Sequence, residues 1–319
     1  MKVTVLGGLC VLLLGVVLTA RVQDHHVSKN VSSAAAGLLI PASATMVTAW
    51  DVPRNPMSDS LLNGHPLVEQ IRWGFRLFTN TPHEAPTVSA NKLSCNNCHL
   101  NAGQKEKAMP LVGIATVYPE YNKRAGRLFS LEDRIVGCFM RSQNATGLLH
   151  MGQAEGGVPE ASLPSTESRE VLALAAYLSW LSEGFPIGKE LPWRGHNVIA
   201  ANKLIPLDKL DPRRGEVLFI EKCSSCHGED GQGMEIGDKK AGPLWGPDSW
   251  NDGAGAARVY TLAGMIRYSM PYLDPSSLTD EEAQHIAAFI NSKSRPQFPF
   301  KEGDYRTERI PIDAVYYKR

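Results

Sequence analysis

The segments "CNNCH" at residues 95–99 and "CSSCH" at residues 223–227 each place two cysteines two residues apart, with a histidine directly after the second. This is the attachment pattern of a c-type haem: the thiols form thioethers with porphyrin vinyl groups, and the adjacent imidazole has little freedom to fall anywhere but on the iron. A disulfide would leave the histidine unexplained, and a structural zinc would want four ligands at each motif. The motif occurs twice, in segments that otherwise look unalike. The chain therefore reads as two haem domains of one type, carrying two covalently bound haem c groups. Cys95, Cys98 and His99 hold the first, and Cys223, Cys226 and His227 hold the second. A haem then supplies much of the apolar core that helical domains of about 100 residues otherwise lack.

Around both motifs apolar residues recur at helical spacing. Before the second, Asp211 is placed to cap a helix with Pro212 in its first turn and Gly215, Leu218, Phe219 and Lys222 on one face. After it, Thr279 and Glu282 form a capping box for a helix with an apolar face of Ala283, Ile286, Ala287 and Ile290. Gln284 and His285 are expected to face outward, and Pro296 ends the segment. The first domain repeats the scheme with an amphipathic stretch over 66–79 and a closing helix carrying Val171, Leu174, Ala175, Leu178 and Leu181. No strand-like alternation stands out. The class is mostly α: two cytochrome c-type domains in tandem, at 50–190 and 209–295, with a linker over 191–208 and a C-terminal tail over 296–319 that wraps back over a domain.

At the N-terminus, Met1 and Lys2 precede an uncharged apolar run from Val3 to Ala20, the pattern of an export signal or an N-terminal anchor. Residues 21–49 read as a tether, which leaves a membrane tether open and places the rest in the periplasm. Lys plus Arg and Asp plus Glu are 33 each, so nothing in the balance points to nucleic acid.

Each iron wants a sixth ligand. In the second domain the candidates are Met234, Met265 and Met270; Met270, in "SMPY", lies 43 residues beyond His227 beside a proline that fixes the chain, and it is preferred. In the first domain the rivals are Met109, Met140, His150, Met151 and Cys138. Cys138 lies at a similar interval, 39 residues beyond His99, and an unpaired thiol in an oxidising compartment needs burial or a metal to protect it. Around it Lys123, Arg124, Arg127, Arg134 and Arg141 are concentrated within nineteen residues. Arg134, four residues before Cys138, shares its face if this piece is helical.

The stretches "NKLSCNNCHLNAG", "YPEYNKRAGRLFSLEDRIVGCFMRSQN" and "YLSWLSEGFPIG" resemble the first domain of the thiosulfate dehydrogenases, periplasmic dihaem cytochromes that join two thiosulfates into tetrathionate. The resemblance implies that Cys138 is the axial thiolate of the catalytic haem, that Arg124 and Arg134 bind substrate beside Arg141, and that Met270 is the axial methionine of the second haem. It also implies electron flow through both haems to a soluble c-type cytochrome or similar acceptor. Two positions depart from the family pattern: Ser269 stands where some members have a lysine, and Arg141 to Ala145 stand where "RSMNG" is frequent. Two other readings compete. One is a dihaem electron carrier with no substrate of its own; the other is a haem subunit of a thiosulfate-conjugating complex. Tetrathionate reduction is the same chemistry run backwards.

Overall fold

The computed structural model describes residues 53–147, 162–236 and 239–318. The expected signal and tether, and the reserve ligands His150 and Met151, lie outside the described residues. Among the described residues no helix is long and apolar enough to cross a membrane.

Helix α1 (Val68–Thr79) buries Ile71, Gly74, Leu77 and Phe78, one stripe at helical spacing. A two-stranded ribbon follows, β1 (Glu120–Asn122) against β2 (Arg127–Phe129). It leads into α2 (Leu131–Ser142), which opens on a capping box between Ser130 and Asp133. Helix α3 (Arg169–Trp180) closes the first domain and buries Val171, Leu174, Ala175 and Leu178 as the periodicity predicted. In the second domain α4 (Pro212–Lys222) starts on the Asp211 cap, whose side chain accepts from the Arg213 amide. After a minimal ribbon, β3 (Glu235–Ile236) and β4 (Lys239–Lys240), come α5 (Val259–Ser269) and α6 (Asp280–Ser292), the latter on the expected Thr279–Glu282 box.

The two domains are built on the same crossing. In the first, α1 lies so close to α3 that a Cβ on Gly74 would sit 2.0 Å from the Ala173 carbonyl oxygen. One turn on, Phe78 meets Tyr177 with ring centroids 5.6 Å apart. In the second, a Cβ on Gly215 would sit 2.0 Å from the His285 carbonyl oxygen, and one turn on Phe219 meets Phe289 at 5.5 Å. Glycine followed four residues later by phenylalanine, facing a residue and an aromatic also four apart, is thus repeated in both halves. Only glycine lets the backbones approach this far, and the aromatic pair then fills the wedge on one side of the contact.

This crossing overturns one expectation. Gln284 and His285 are buried, not outward. Gln284 accepts from the Ile205 amide at 2.8 Å and donates to the Lys203 and Asp280 carbonyls, while His285 Nδ1 accepts from the Asp211 amide at 3.0 Å. Both side chains satisfy backbone groups of the linker and of the α4 cap, which is why polar residues sit where an apolar contact was not available.

The linker is itself packed. Trp193 donates to the Val112 carbonyl at 3.2 Å and shares a small core with Leu191 and Val112. Across the domain boundary, Asn91 donates to the carbonyls of Ser142 and Ser249, and Ser269 donates to the Lys107 carbonyl. Lys105 donates to the Tyr272 carbonyl at 2.8 Å, two residues beyond Met270. The segment directly after the first motif therefore holds the methionine loop of the second domain in place.

Candidate active site: an arginine-lined cavity beside Cys138

Two cavities flank the domain boundary, of about 730 Å³ and about 590 Å³. Both are in the size range of cofactor pockets. The larger is lined by Cys95, Cys98, His99 and Cys138. The smaller is lined by Cys223, Cys226, His227 and Met270, with Met265 and Leu262 among its apolar walls. Leu93, Ser94, Cys98, Trp250 and Ala256 line both, so the two spaces share one thin wall.

The side chains fit haem at each motif. None of the four motif cysteines is in a disulfide. His99 Nδ1 lies 2.7 Å from the Met109 carbonyl oxygen, which leaves Nε2 for a metal. Burial pulls its pKa down to about 4, so the imidazole is neutral and its lone pair available. His227 shows the same arrangement with the Gly242 carbonyl at 3.4 Å, and burial lowers its pKa as well. Trp250, 4% exposed, has an indole N–H with no acceptor among the described residues. A buried donor left in that state is costly, and carboxylates at a haem periphery are the kind of acceptor it lacks.

The candidate sixth ligands are distributed over both cavities. Met270 lines the smaller cavity, whereas Met234 is 48% exposed and Met265 is packed in the core wall. In the first domain Met109 contributes the carbonyl that holds His99, and Cys138 and Met140 line the cavity. Trp245 packs on Phe219 and Phe289, and Trp250 is the tryptophan that lines both cavities.

Helix α2 presents Arg134, Cys138 and Arg141 at i, i+4 and i+7 while Leu131, Ile135 and Phe139 are buried behind them. Arg134 is exposed and lines the cavity. The negative charge of a Cys138 thiolate pushes its pKa above the usual arginine value, with Tyr118 as a hydrogen-bond partner. Burial pushes the Tyr118 phenol up to about 12, so it stays a neutral donor. Arg124 donates to the Gly253 carbonyl at 2.6 Å and to the Tyr305 hydroxyl at 3.2 Å, and closes no ion pair among the described residues. Arg141 also lines the cavity, but its fork closes on Asp304 at 2.7 and 2.9 Å and it lies 4.0 Å over Phe298.

The remaining cations of the cavity divide in the same way. Arg127, Arg194 and Arg258 are paired with Asp133, Glu120 and Asp313. Lys123, Arg124, Arg134 and Arg309 line it with no carboxylate partner among the described residues. Of these, Arg309 was not anticipated, nor were Tyr118, Arg194, Arg258 and Tyr305 as cavity residues. The Ser130–Asp133 box was a sequence signal that would have fixed α2 and its cavity face; the tail residues carried no such signal.

Comparison with known proteins agrees with this arrangement. Residues 84–187 match the family model for the SoxA/TsdA cytochrome c domain, and residues 210–290 match that for cbb3-type cytochrome c oxidase subunit III. The chain is 36% identical to the thiosulfate dehydrogenase of Stutzerimonas stutzeri over 261 residues, covering 81% of this chain and 78% of that protein. It is 34% identical to the thiosulfate dehydrogenase of Allochromatium vinosum over 288 residues, covering 88% of this chain and 97% of that protein. Among solved structures it is similar to the thiosulfate dehydrogenase TsdBA of Marichromatium purpuratum in its as-isolated form. The TM-score is 0.64 at 36% identity, covering 74% of this chain and 48% of the other. Two cytochrome c domains, a cysteine that lines one arginine-rich cavity with the first motif, and relatives of this identity over most of their own length lead to one conclusion: the chain belongs to the thiosulfate dehydrogenase family.

Proposed function

We propose that this protein couples two thiosulfates oxidatively into tetrathionate at the cavity beside Cys138, and that it carries two haem c groups, one per domain. His99 and Cys138 would hold the first iron, and His227 and Met270 the second. The bound haems supply one-electron acceptors, from which electrons leave to an external cytochrome or a similar acceptor.

The observation that carries this reading is the charge inventory of the larger cavity. Two thiosulfates bring four negative charges together. At an effective dielectric near 20, two dianions about 4 Å apart repel by roughly 16 kcal/mol, so a neutral pocket would not hold both. Among the described residues four cations without ion-pair partners line this cavity, two of them the expected Arg124 and Arg134, against one unpaired carboxylate, Glu308. A guanidinium fork matches sulfonate oxygens and stays charged at any relevant pH. Arg134 is held toward Tyr118, whose neutral hydroxyl adds a donor, and Arg124 is fixed by Gly253 and Tyr305. Arg141, its charge already matched by Asp304, frames the site.

Cys138 supplies what methionine would not: a sulfur that is both an iron ligand and a nucleophile. Its thiolate bonds the outer sulfur of one thiosulfate with loss of two electrons. The outer sulfur of the second thiosulfate then attacks that same sulfur, forming tetrathionate and releasing the Cys138 thiolate. The same Cys138 sulfur that would hold the first iron is the one that bonds the substrate sulfur.

The test is anaerobic addition of thiosulfate to the oxidised holoprotein, following haem absorption and assaying tetrathionate. Haem reduction with stoichiometric tetrathionate is expected. No reduction would favour the electron carrier, and reduction only in the presence of a carrier protein would favour the conjugating complex.

A further inference from the structure

The segment after α6 was expected to wrap over a domain; it forms a wall of the first domain's cavity. Tyr305, Glu308, Arg309 and Pro311 line that space together with Arg134 and Cys138. The segment is fastened at several points. The Tyr305 amide donates to the Arg124 carbonyl at 2.7 Å, and the Phe298 amide donates to Asp252 at 2.7 Å. Asp304, which closes on Arg141, also accepts from the Tyr317 hydroxyl. Asp313 closes on Arg258 at 2.8 Å. Three of the cavity's arginines are thus oriented by residues that lie beyond the second haem domain in the chain: Arg124 by Tyr305, Arg141 by Asp304 and Arg258 by Asp313.

In the same wall, Arg309 and Glu308 are exposed at the cavity and have no ion-pair partner among the described residues. Every other arginine lining the cavity is either paired with a carboxylate or anchored by a hydrogen bond. Among the described residues Arg309 is the arginine of this cavity free to move toward an incoming anion, as Lys123 is among its lysines. We infer that the C-terminal segment is an integral part of the substrate site and that Arg309 is a substrate-binding residue that captures thiosulfate at the cavity rim, opposed by the neighbouring Glu308. The inference rests on the thiosulfate reading above and extends it to a segment outside both haem domains. The carboxylate and the guanidinium act on the same dianion with opposite signs, so together they tune capture without touching the sulfur chemistry at Cys138.

The test is steady-state kinetics on the holoprotein with R309Q, R309K and E308Q. R309Q should raise KM for thiosulfate about fivefold with kcat within twofold. That fold-change corresponds to about 1 kcal/mol, the scale of one exposed ionic contact. E308Q should lower KM, R309K should restore most of the wild-type value, and R309Q should weaken the dependence of KM on ionic strength. The thermal midpoints should not change, because neither side chain has an ion-pair partner to lose. A structural role would not move KM in opposite directions in the two neutral variants. An unchanged KM in R309Q, or a shift of the same sign in E308Q, would overturn the proposal while leaving the functional reading intact provided R134Q abolishes turnover. A wild-type protein that does not oxidise thiosulfate would overturn the functional reading first, and this inference with it.

Discussion

Replacing Arg134 with Gln tests the substrate site through the cation one helical turn from Cys138. Among the described residues Arg134 closes no ion pair, although the Glu120 charge acts on it; it lines the cavity and lies one turn from Cys138. A unit charge about 4 Å from a dianion is worth roughly 8 kcal/mol gross at an effective dielectric near 20. Most of that is offset by desolvating both groups. The net figure is closer to what is lost on deleting one well-placed donor to a developing or bound oxyanion, about 3–4 kcal/mol. The expected loss in kcat/KM is therefore about two to three orders of magnitude, at 1.36 kcal/mol per tenfold. The assay is tetrathionate formation with an artificial electron acceptor, with haem content and both haem spectra checked to match the wild type. Arg141 provides the contrast. Its fork is already on Asp304, so R141Q should act mainly on stability by leaving a buried carboxylate unpaired. A loss of less than fivefold in R134Q with intact haems would refute the reasoning about free against matched arginines.

Asp304→Asn should lower the apparent unfolding midpoint by several degrees, since breaking a buried ion pair costs about 3–5 kcal/mol; differential scanning calorimetry of the holoprotein reads it. Gly215→Ala places a methyl group 2.0 Å from a backbone oxygen, so α4 and α6 must move apart; the expected result is a loss of several kcal/mol with weaker attachment of the second haem, measured by haem content and thermal melts. Burial depresses the Lys105 pKa from 10.5 to about 8, so between those values the unfolded chain holds a proton that the folded chain does not. Stability should therefore rise with pH from about 8 to about 10.5, and Lys105→Met should remove that slope in denaturant melts run across the range.

The sequence made the haem motifs, the caps and the helix spacing legible because those signals are local. Asp211, Thr279 and Glu282 act on backbone groups within three residues, and Cys138 declares itself by its chemistry and its interval from His99. The misread features depend on partners far along the chain. His285 and Gln284 are polar yet buried because they cap segments about 75 residues earlier, and helical periodicity contains no information about that. Gly74 and Gly215 are a repeated device, but each looks like an ordinary helix glycine until the crossing is seen. The division of arginines into matched and free was equally hidden. Arg141 is matched by Asp304, 163 residues away, while Arg124 and Arg134 close no ion pair among the described residues. The tail's role in the cavity came from the fold alone.

Replacing Cys138 with Met in the full holoprotein is the most direct measurement. The arginine-lined cavity and both attachment motifs are untouched by that change, so both haems should remain covalently bound and reducible by dithionite. The expected result is loss of tetrathionate formation by at least about a thousandfold, because a thioether ligates iron but forms no bond with the outer sulfur of thiosulfate. Wild-type turnover in that variant, with thiosulfate still reducing the haems, would contradict the central claim.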